Sequence, residues 1–166
     1  GYEVSGIISE VGKDVQHRNV GDAVVAMTRF GGYSSFVDVN PEQSFILEGE
    51  INFPAAAAIP VTYATAHHML VYLGKIRDGD SVLIHHAAGG VGSAAAQIAK
   101  AKGAGILVGT SSEIKKEFVE KQGMIHISRG KDFVKLCKSL TGGKGVDHAL
   151  DPVGGKHLMR SYSALT

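Results

Sequence analysis

Two hydrophobic rhythms divide the chain. Up to about Glu50, apolar residues come in short β-branched runs broken by glycine and proline: Glu3–Val11, Ala23–Met27 after the Gly21-Asp22 turn, Tyr33–Val39 after Gly31-Gly32, and Phe45–Leu47 after Pro41. Runs of this length and alternation predict strands, and nothing in this part predicts a helix. From Phe53 the rhythm changes. Pro54 suits a first helical position ahead of the alanines at 55–58, and Pro60 closes that helix because the residue before a proline avoids helical backbone. A second helix is predicted over Tyr63–Leu73, followed by a turn at Asp78-Gly79.

Beyond that turn, strands and helices alternate. Ser81–Ile84, Gly105–Val108, Ile125–Ile127 and Val146–Leu150 read as strands. A segment ending near Lys102, then Ser112–Gln122, Lys131–Leu140 and the stretch from Lys156 onward read as helices. Strands separated by helices pair in parallel through crossovers, so the fold class is α/β, with a Rossmann-type doubly wound parallel sheet over residues 51–166 and a β-rich domain over residues 1–50. A complete sheet of this type has about six strands. The last of them are expected beyond Thr166.

The first of these strands runs into His86-Ala87-Ala88-Gly89-Gly90-Val91-Gly92, which then opens a helix. A helix N-terminus leaves its first N–H groups unpaired at the positive end of the dipole, and glycines let a diphosphate approach them. Ala87-x-Gly89-x-x-Gly92 meets the dinucleotide fingerprint with alanine in the first place. Taken alone, the same turn serves equally to pack a helix close to a strand. The expected diphosphate contacts are Ala88, Gly89, Gly90, Val91 and Gly92.

Composition narrows the function. A chain of 166 residues that is 44% hydrophobic and 20% charged can bury a core, and a net charge of +1 offers no basic face for nucleic acid or an anionic membrane. No apolar run is long enough to span a bilayer, and no leader-like segment precedes the first strand; a cytoplasmic location is expected. One cysteine, Cys137, allows no internal disulfide. There is no P-loop and no nucleophile elbow, so kinase and hydrolase readings lack support.

The end of the second parallel strand bears on the coenzyme. An acidic residue there would accept the ribose hydroxyls of NAD, whereas here Gly109-Thr110-Ser111-Ser112 carries none before Glu113. Ser111 and Ser112 can donate to the 2′-phosphate of NADP, with Lys115 and Lys116 in the following turn and Arg129 after the third strand as cations. That favours NADP(H). Ser112 also fits a helix N-cap, and Lys115 a solvated surface position.

Taken in order, Gly1-Tyr2-Glu3-Val4-Ser5-Gly6, Val20-Gly21-Asp22, Pro60-Val61-Thr62-Tyr63-Ala64-Thr65-Ala66, the turn at 87–92, Ser112-Glu113-Ile114-Lys115, Thr141-Gly142-Gly143-Lys144-Gly145-Val146-Asp147 and Asp151-Pro152-Val153-Gly154-Gly155 resemble the zinc-independent quinone oxidoreductases of the medium-chain dehydrogenase/reductase superfamily. The Asp-Pro-Val-Gly-Gly and Tyr-x-Thr-Ala runs are similar to the branch that includes the synaptic vesicle protein VAT-1. The resemblance implies that residues 1–50 are the latter part of a GroES-like β domain and that the family chain is about twice this long. It implies an NADPH-dependent oxidoreductase, a homodimer in the full-length protein, that passes hydride to a small-molecule quinone or α,β-unsaturated carbonyl. Thr62 and Tyr63 match a region that lines the nicotinamide pocket in relatives, which makes them the candidate catalytic residues. Asp151 is expected to hold its loop rather than to act as a base. The rival reading is a non-catalytic NADPH-binding protein with a structural, RNA-binding or membrane-trafficking role.

Zinc-dependent relatives carry a histidine where this chain has Tyr2, and a four-cysteine lobe where Met27–Gly32 here connects directly. The adjacent pairs His67-His68 and His85-His86 cannot each chelate one ion, because neighbouring side chains diverge on helices and strands alike. No metal is expected.

Overall fold

The computed structural model describes residues 1–166 and divides them into two units, Gly1–Ala64 and Thr65–Thr166. The first is built on an antiparallel sheet of β1 (Glu3–Ile7), β2 (Ala23–Met27) and β3 (Ser44–Ile46), with β2 central and Glu3 opposite Met27. Val24, Val25 and Ala26 of the central strand are buried. The Arg18 guanidinium fastens the sheet's far side, donating to the Ser44 hydroxyl at 3.0 Å and to the Ser44 and Pro41 carbonyls at 2.5 and 3.2 Å.

Two expectations fail in this unit. β1 ends at Ile7 rather than Val11, although the Ile8 N–H still reaches the Asp22 carbonyl at 3.0 Å. Tyr33–Val39 forms no strand: Tyr33 and Phe36 are 100% and 80% exposed. Alternation marks a stretch able to line a sheet, but a strand also needs a paired neighbour. Here the Ser34 hydroxyl instead lies 2.6 and 2.7 Å from the carbonyls of Gly31 and Phe36, which bends the segment on itself.

The helices that follow begin where capping allows. α1 (Phe53–Ala57) starts where the Asn52 side chain accepts from the Ala55 N–H at 3.0 Å. α2 (Pro60–His67) begins at Pro60 itself, three residues ahead of the expected start at Tyr63. A first-turn proline lacks only a donor that the helix does not use. The next N–H, that of Val61, is accepted by the Glu3 carboxylate at 2.8 Å. Past His67 the helix widens into a π-turn over His68–Leu73, where His68 and Tyr72 stack with ring centroids 4.9 Å apart.

The second unit is a parallel sheet in the order β6-β5-β4-β7, formed by β4 (Ser81–Ile84), β5 (Ile106–Ser111), β6 (Ile125–Ser128) and β7 (His148–Leu150). Its helices are α3 (Gly90–Ala101), α4 (Lys116–Lys121) after a short turn at Glu113–Lys115, α5 (Phe133–Leu140) and α6 (Lys156–Ser163). Strand alternation sends side chains to both faces. Leu83, Val108 and Ile127 pack with Phe133, Cys137 and Ala164 of the α5 and α6 side. Gly109 faces the other way, where an added Cβ would lie 2.8 Å from Ala87 Cβ and Val119 Cγ1. Buried Ala94, Ala95, Ala96 and Ala99 let α3 approach the sheet closely. After α6 the chain turns back at Leu165, which bridges in parallel to Val146.

Polar groups tie the strands together at both ends. At the N-terminal edge, Asp147 accepts from the Ser81 N–H and hydroxyl at 2.8 and 2.6 Å, bonds that hold its carboxyl below the usual range. At the other edge His85, just past β4, is 2% exposed. Burial pushes its pKa down from 6.5 to about 4. The unfolded chain therefore binds a proton that the folded protein refuses across that interval, so this contribution to stability is complete above pH 6.5 and is lost as pH falls toward 4. Chemical denaturation midpoints measured between these limits are expected to fall with pH in the wild type and to fall less in His85→Gln. Equal slopes would show that His85 is not the group responsible.

Candidate functional site

The site is built at the carboxyl ends of β4 and β7, the neighbouring pair at which the sheet's strand order reverses direction. Past β4 the chain makes a tight turn. His86 takes a left-handed φ of 53°, and its carbonyl accepts the Gly89 N–H at 2.8 Å. The turn is moored on both sides, with the His85 N–H donating to the Leu150 carbonyl and the Ala87 N–H to the Thr110 carbonyl, both at 3.0 Å. At Gly92 a Cβ would lie 2.4 Å from the His86 carbonyl oxygen and 2.8 Å from Ala87 Cα, so only hydrogen fits. That contact brings the start of α3 down onto the strand end.

No side chain caps α3, whose N-cap is Gly89. Its first amides, on Gly90, Val91 and Gly92, therefore face a cleft of about 500 Å³ together with the helix dipole. Gly89–Gly92 form one wall, Leu150, Asp151 and Pro152 another, and Ile84, His85 and His86 line it from β4. Ala88, half-buried, lies within the turn. Of the expected diphosphate contacts, the structure brings Gly89 through Gly92 to one surface.

The residues expected around the adenosine end lie at the ends of β5 and β6. β5 extends to Ser111, which is buried; its hydroxyl donates to the Ser112 carbonyl at 3.0 Å and lies 3.0 Å from His126 Nε2. Ser112 sits at an N-cap position, yet its hydroxyl caps nothing. Glu113 accepts from the Ser128 hydroxyl, a bond that lowers its carboxyl pKa. Lys115 is exposed at the end of the short turn. Arg129 is exposed too, with one guanidinium nitrogen 3.5 Å from His86 Nδ1. Thr62 and Tyr63 are half-buried on α2 in the first unit, where the Thr62 hydroxyl donates back to the Ala58 carbonyl at 2.5 Å.

Asp151 holds its loop as expected, but the histidines and the serine gathered around it beneath the cleft floor were not foreseen by sequence reasoning. Asp151 Oδ1 accepts the Val153 and Gly154 N–H groups at 2.8 and 3.1 Å, while Oδ2 accepts from the Ser161 hydroxyl at 2.6 Å and lies 3.1 Å from His157 Nδ1. These bonds outweigh burial and hold the carboxyl far below the usual range. His85 Nε2 is 3.1 Å from the same Ser161 oxygen, and His85 Nδ1 is 2.9 Å from the Thr110 hydroxyl. An ionised Asp151 uses the Ser161 proton, so His85 donates from Nε2 and accepts from Thr110 at Nδ1. A readable signal exists for half of this, since His157 and Ser161 are four apart on α6 and share a face.

Cys137, the only cysteine, is buried on α5 with its thiol pushed up to about 11. A raised thiol pKa disfavours the thiolate that metals bind, and no second cysteine exists, so the chain does not fit a cysteine-ligated zinc site.

Residues 90–166 match the family described as zinc-binding dehydrogenase. Over 167 residues the chain is 39% identical to a synaptic vesicle membrane protein VAT-1 homolog of Danio rerio, covering 99% of this chain and 34% of that protein. Its structure superposes on the CurK enoyl reductase with a TM-score of 0.93 at 40% identity, and on the Escherichia coli quinone oxidoreductase complexed with NADPH with a TM-score of 0.92 at 38% identity. It covers all of this chain in both cases, and 50% and 52% of the two solved chains. It thus spans about a third to a half of these relatives. No helix is long and apolar enough to cross a membrane. With its parallel sheet, its glycine turn at the reversal of strand order and these likenesses, the chain belongs to the medium-chain dehydrogenase/reductase superfamily, in its quinone oxidoreductase-like group.

Proposed function

We propose that this chain carries the coenzyme-binding half of an NADPH-dependent, zinc-independent oxidoreductase acting on a quinone or an α,β-unsaturated carbonyl. The single observation that carries the reading is the uncapped start of α3 held against β4 by the His86–Gly92 contact and open to the cleft. Such an array binds a diphosphate through backbone amides, without a basic side chain. When bound, the nicotinamide supplies the hydride; the protein's part is to place the coenzyme and shape the space around it. Gly89 through Gly92 hold the diphosphate. At the adenosine end, Ser112, Lys115 and Arg129 supply donors and charge for a 2′-phosphate, whereas the Ser111 hydroxyl is already engaged. Tyr63 is proposed to donate to the acceptor's carbonyl oxygen as charge develops there. The Thr62 proton is committed to Ala58, which leaves Thr62 a packing role beside it. The likeness to two solved relatives, an enoyl reductase and a quinone oxidoreductase complexed with NADPH, supports this acceptor class and this coenzyme.

The decisive measurement is NADPH oxidation by the full-length protein with phenanthrenequinone, naphthoquinone and an enoyl thioester, beside direct fluorescence titration of NADPH. Turnover with one acceptor supports the proposal. Binding without turnover on all three would favour the non-catalytic reading, for which the likeness to the VAT-1 homolog speaks. If Tyr63 donates to the acceptor, Tyr63→Phe loses about a hundredfold in kcat with little change in coenzyme affinity; unchanged kcat would remove it from the mechanism.

Val91→Asp places a carboxylate in the first turn of α3. It should leave the unfolding midpoint unchanged or raised, since negative charge suits a helix start, while NADPH binding weakens at least tenfold, or ~1.4 kcal/mol. Parallel loss of stability and binding would mean a damaged fold rather than a repelled diphosphate. Arg129→Ala should weaken NADPH about tenfold and leave NADH within about twofold, because only the former carries the extra phosphate. Equal losses for both coenzymes would remove Arg129 from the discrimination.

A further inference from the structure

Beneath the cleft floor, three side chains from three separate elements converge: His85 from the end of β4, Asp151 from the loop after β7, and His157 from α6. One ligand atom from each lies within 4.8 Å of the other two. We infer that these residues form a binding site for a divalent transition ion of the zinc and cobalt type, separate from the coenzyme's diphosphate site and apart from hydride transfer. Such an ion binds imidazole nitrogen at about 2.0–2.1 Å and carboxylate oxygen at about 2.0–2.2 Å, which sets neighbouring donors about 3.3 Å apart in a tetrahedron. Asp151 Oδ2 and His157 Nδ1 stand at 3.1 Å already, so closing the set requires chiefly that His85 approach these two.

The hydrogen bonds now filling this space do not oppose the ion. His85 donates from Nε2 to Ser161, but its Nδ1 faces the Thr110 hydroxyl at 2.9 Å, and a hydroxyl can accept as well as donate. Shifting the ring proton to Nδ1 frees Nε2 for the metal and gives the outer ring nitrogen the kind of partner that orients a metal-bound histidine. His157 is partly exposed, with 29% of its side chain open to solvent, so a proton moved from Nδ1 to Nε2 can meet water. The Ser161 hydroxyl, 2.6 Å from Asp151 Oδ2 and 3.1 Å from His85 Nε2, or water from the cleft can complete four ligands. Two imidazoles and one carboxylate select zinc, cobalt, nickel or copper over magnesium and calcium, which prefer oxygen alone. Both His85 and Asp151 line the cleft, which supplies the entry path.

The test is a titration of the protein with Co²⁺, read by the visible d–d absorption of the bound ion, and with Zn²⁺ by calorimetry. One equivalent is expected to bind with a dissociation constant on the order of micromolar or tighter, with four-coordinate cobalt intensity and no competition from excess Mg²⁺. His157→Ala should lose at least about tenfold in affinity while circular dichroism and the unfolding midpoint confirm that it is folded. Thr110→Val, which replaces no ligand but removes the hydroxyl beside His85 Nδ1, should weaken the ion about tenfold and provides the second reading if His157→Ala does not fold. Cys137→Ser and His67→Ala should change nothing. Absence of saturable binding overturns the inference, as does a cobalt signal that survives His157→Ala or that disappears with Cys137 or His67. NADPH titration of the same samples reports on the diphosphate site independently, so failure of one reading leaves the other standing.

Discussion

The close approach of the His86 carbonyl to Gly92 is the constraint on which the nucleotide unit depends. A Cβ at residue 92 would sit 2.4 Å from that oxygen, so the chain can turn from β4 into α3 within a few residues only because hydrogen stands there. The tightness fixes where the first amides of α3 point. It also sets the height of α3 above the sheet, in keeping with the run of buried alanines at 94–96 and 99, and it seats Ala87 of the turn over the neighbouring strand, where Ala87, Val119 and Met124 leave room only for Gly109. One steric requirement thus propagates into the composition of two further elements.

The polar groups at the strand ends do the opposite work. Small residues let elements approach; His85, Thr110, Ser161, Asp151 and His157 fix how far they may shift once there. Every buried side-chain polar atom in the structure has a partner. A fully satisfied buried network restricts alternatives because moving one member strands the rest. Here that couples β4, β5, the loop after β7 and α6 in the same packed region whose burial keeps His85 uncharged.

Much of this was legible in the sequence, for identifiable reasons. The four parallel strands, their crossover helices and the glycine turn follow from local periodicity and from the missing side chains of Gly89, Gly90 and Gly92, and each stands where expected to within a few residues. Tyr33–Val39 went astray because alternation reports a face and not a partner. Pro60 went astray because a proline both ends one helix and suits the start of the next, and only the Glu3 carboxylate on the Val61 amide shows which role dominates. Ser111 looked like a ligand donor because β5 was expected to stop three residues earlier; continued to 111, the strand puts that hydroxyl inside. The adjacent histidine pairs suggested no chelation by either pair alone. What local reading could not supply was His85 meeting His157 across seventy-two positions of chain, a contact made only by the crossover topology.

This division between backbone and side chain has a consequence for how such a unit can vary. The proposed diphosphate array would use amides, so it demands only that certain positions lack a Cβ and that α3 lack a competing cap. Side chains around it are left free to differ, provided that they respect the turn. His86 illustrates the point: its left-handed φ of 53° costs an ordinary residue something, yet its ring stands exposed beside Arg129 rather than in the core. Its carbonyl is what the turn requires, accepting Gly89 and bounding Gly92, and any residue tolerating that φ would supply it. The proposed coenzyme discrimination and ion binding rest on side chains that the first amides of α3 do not involve, so either proposed property could change without disturbing the turn.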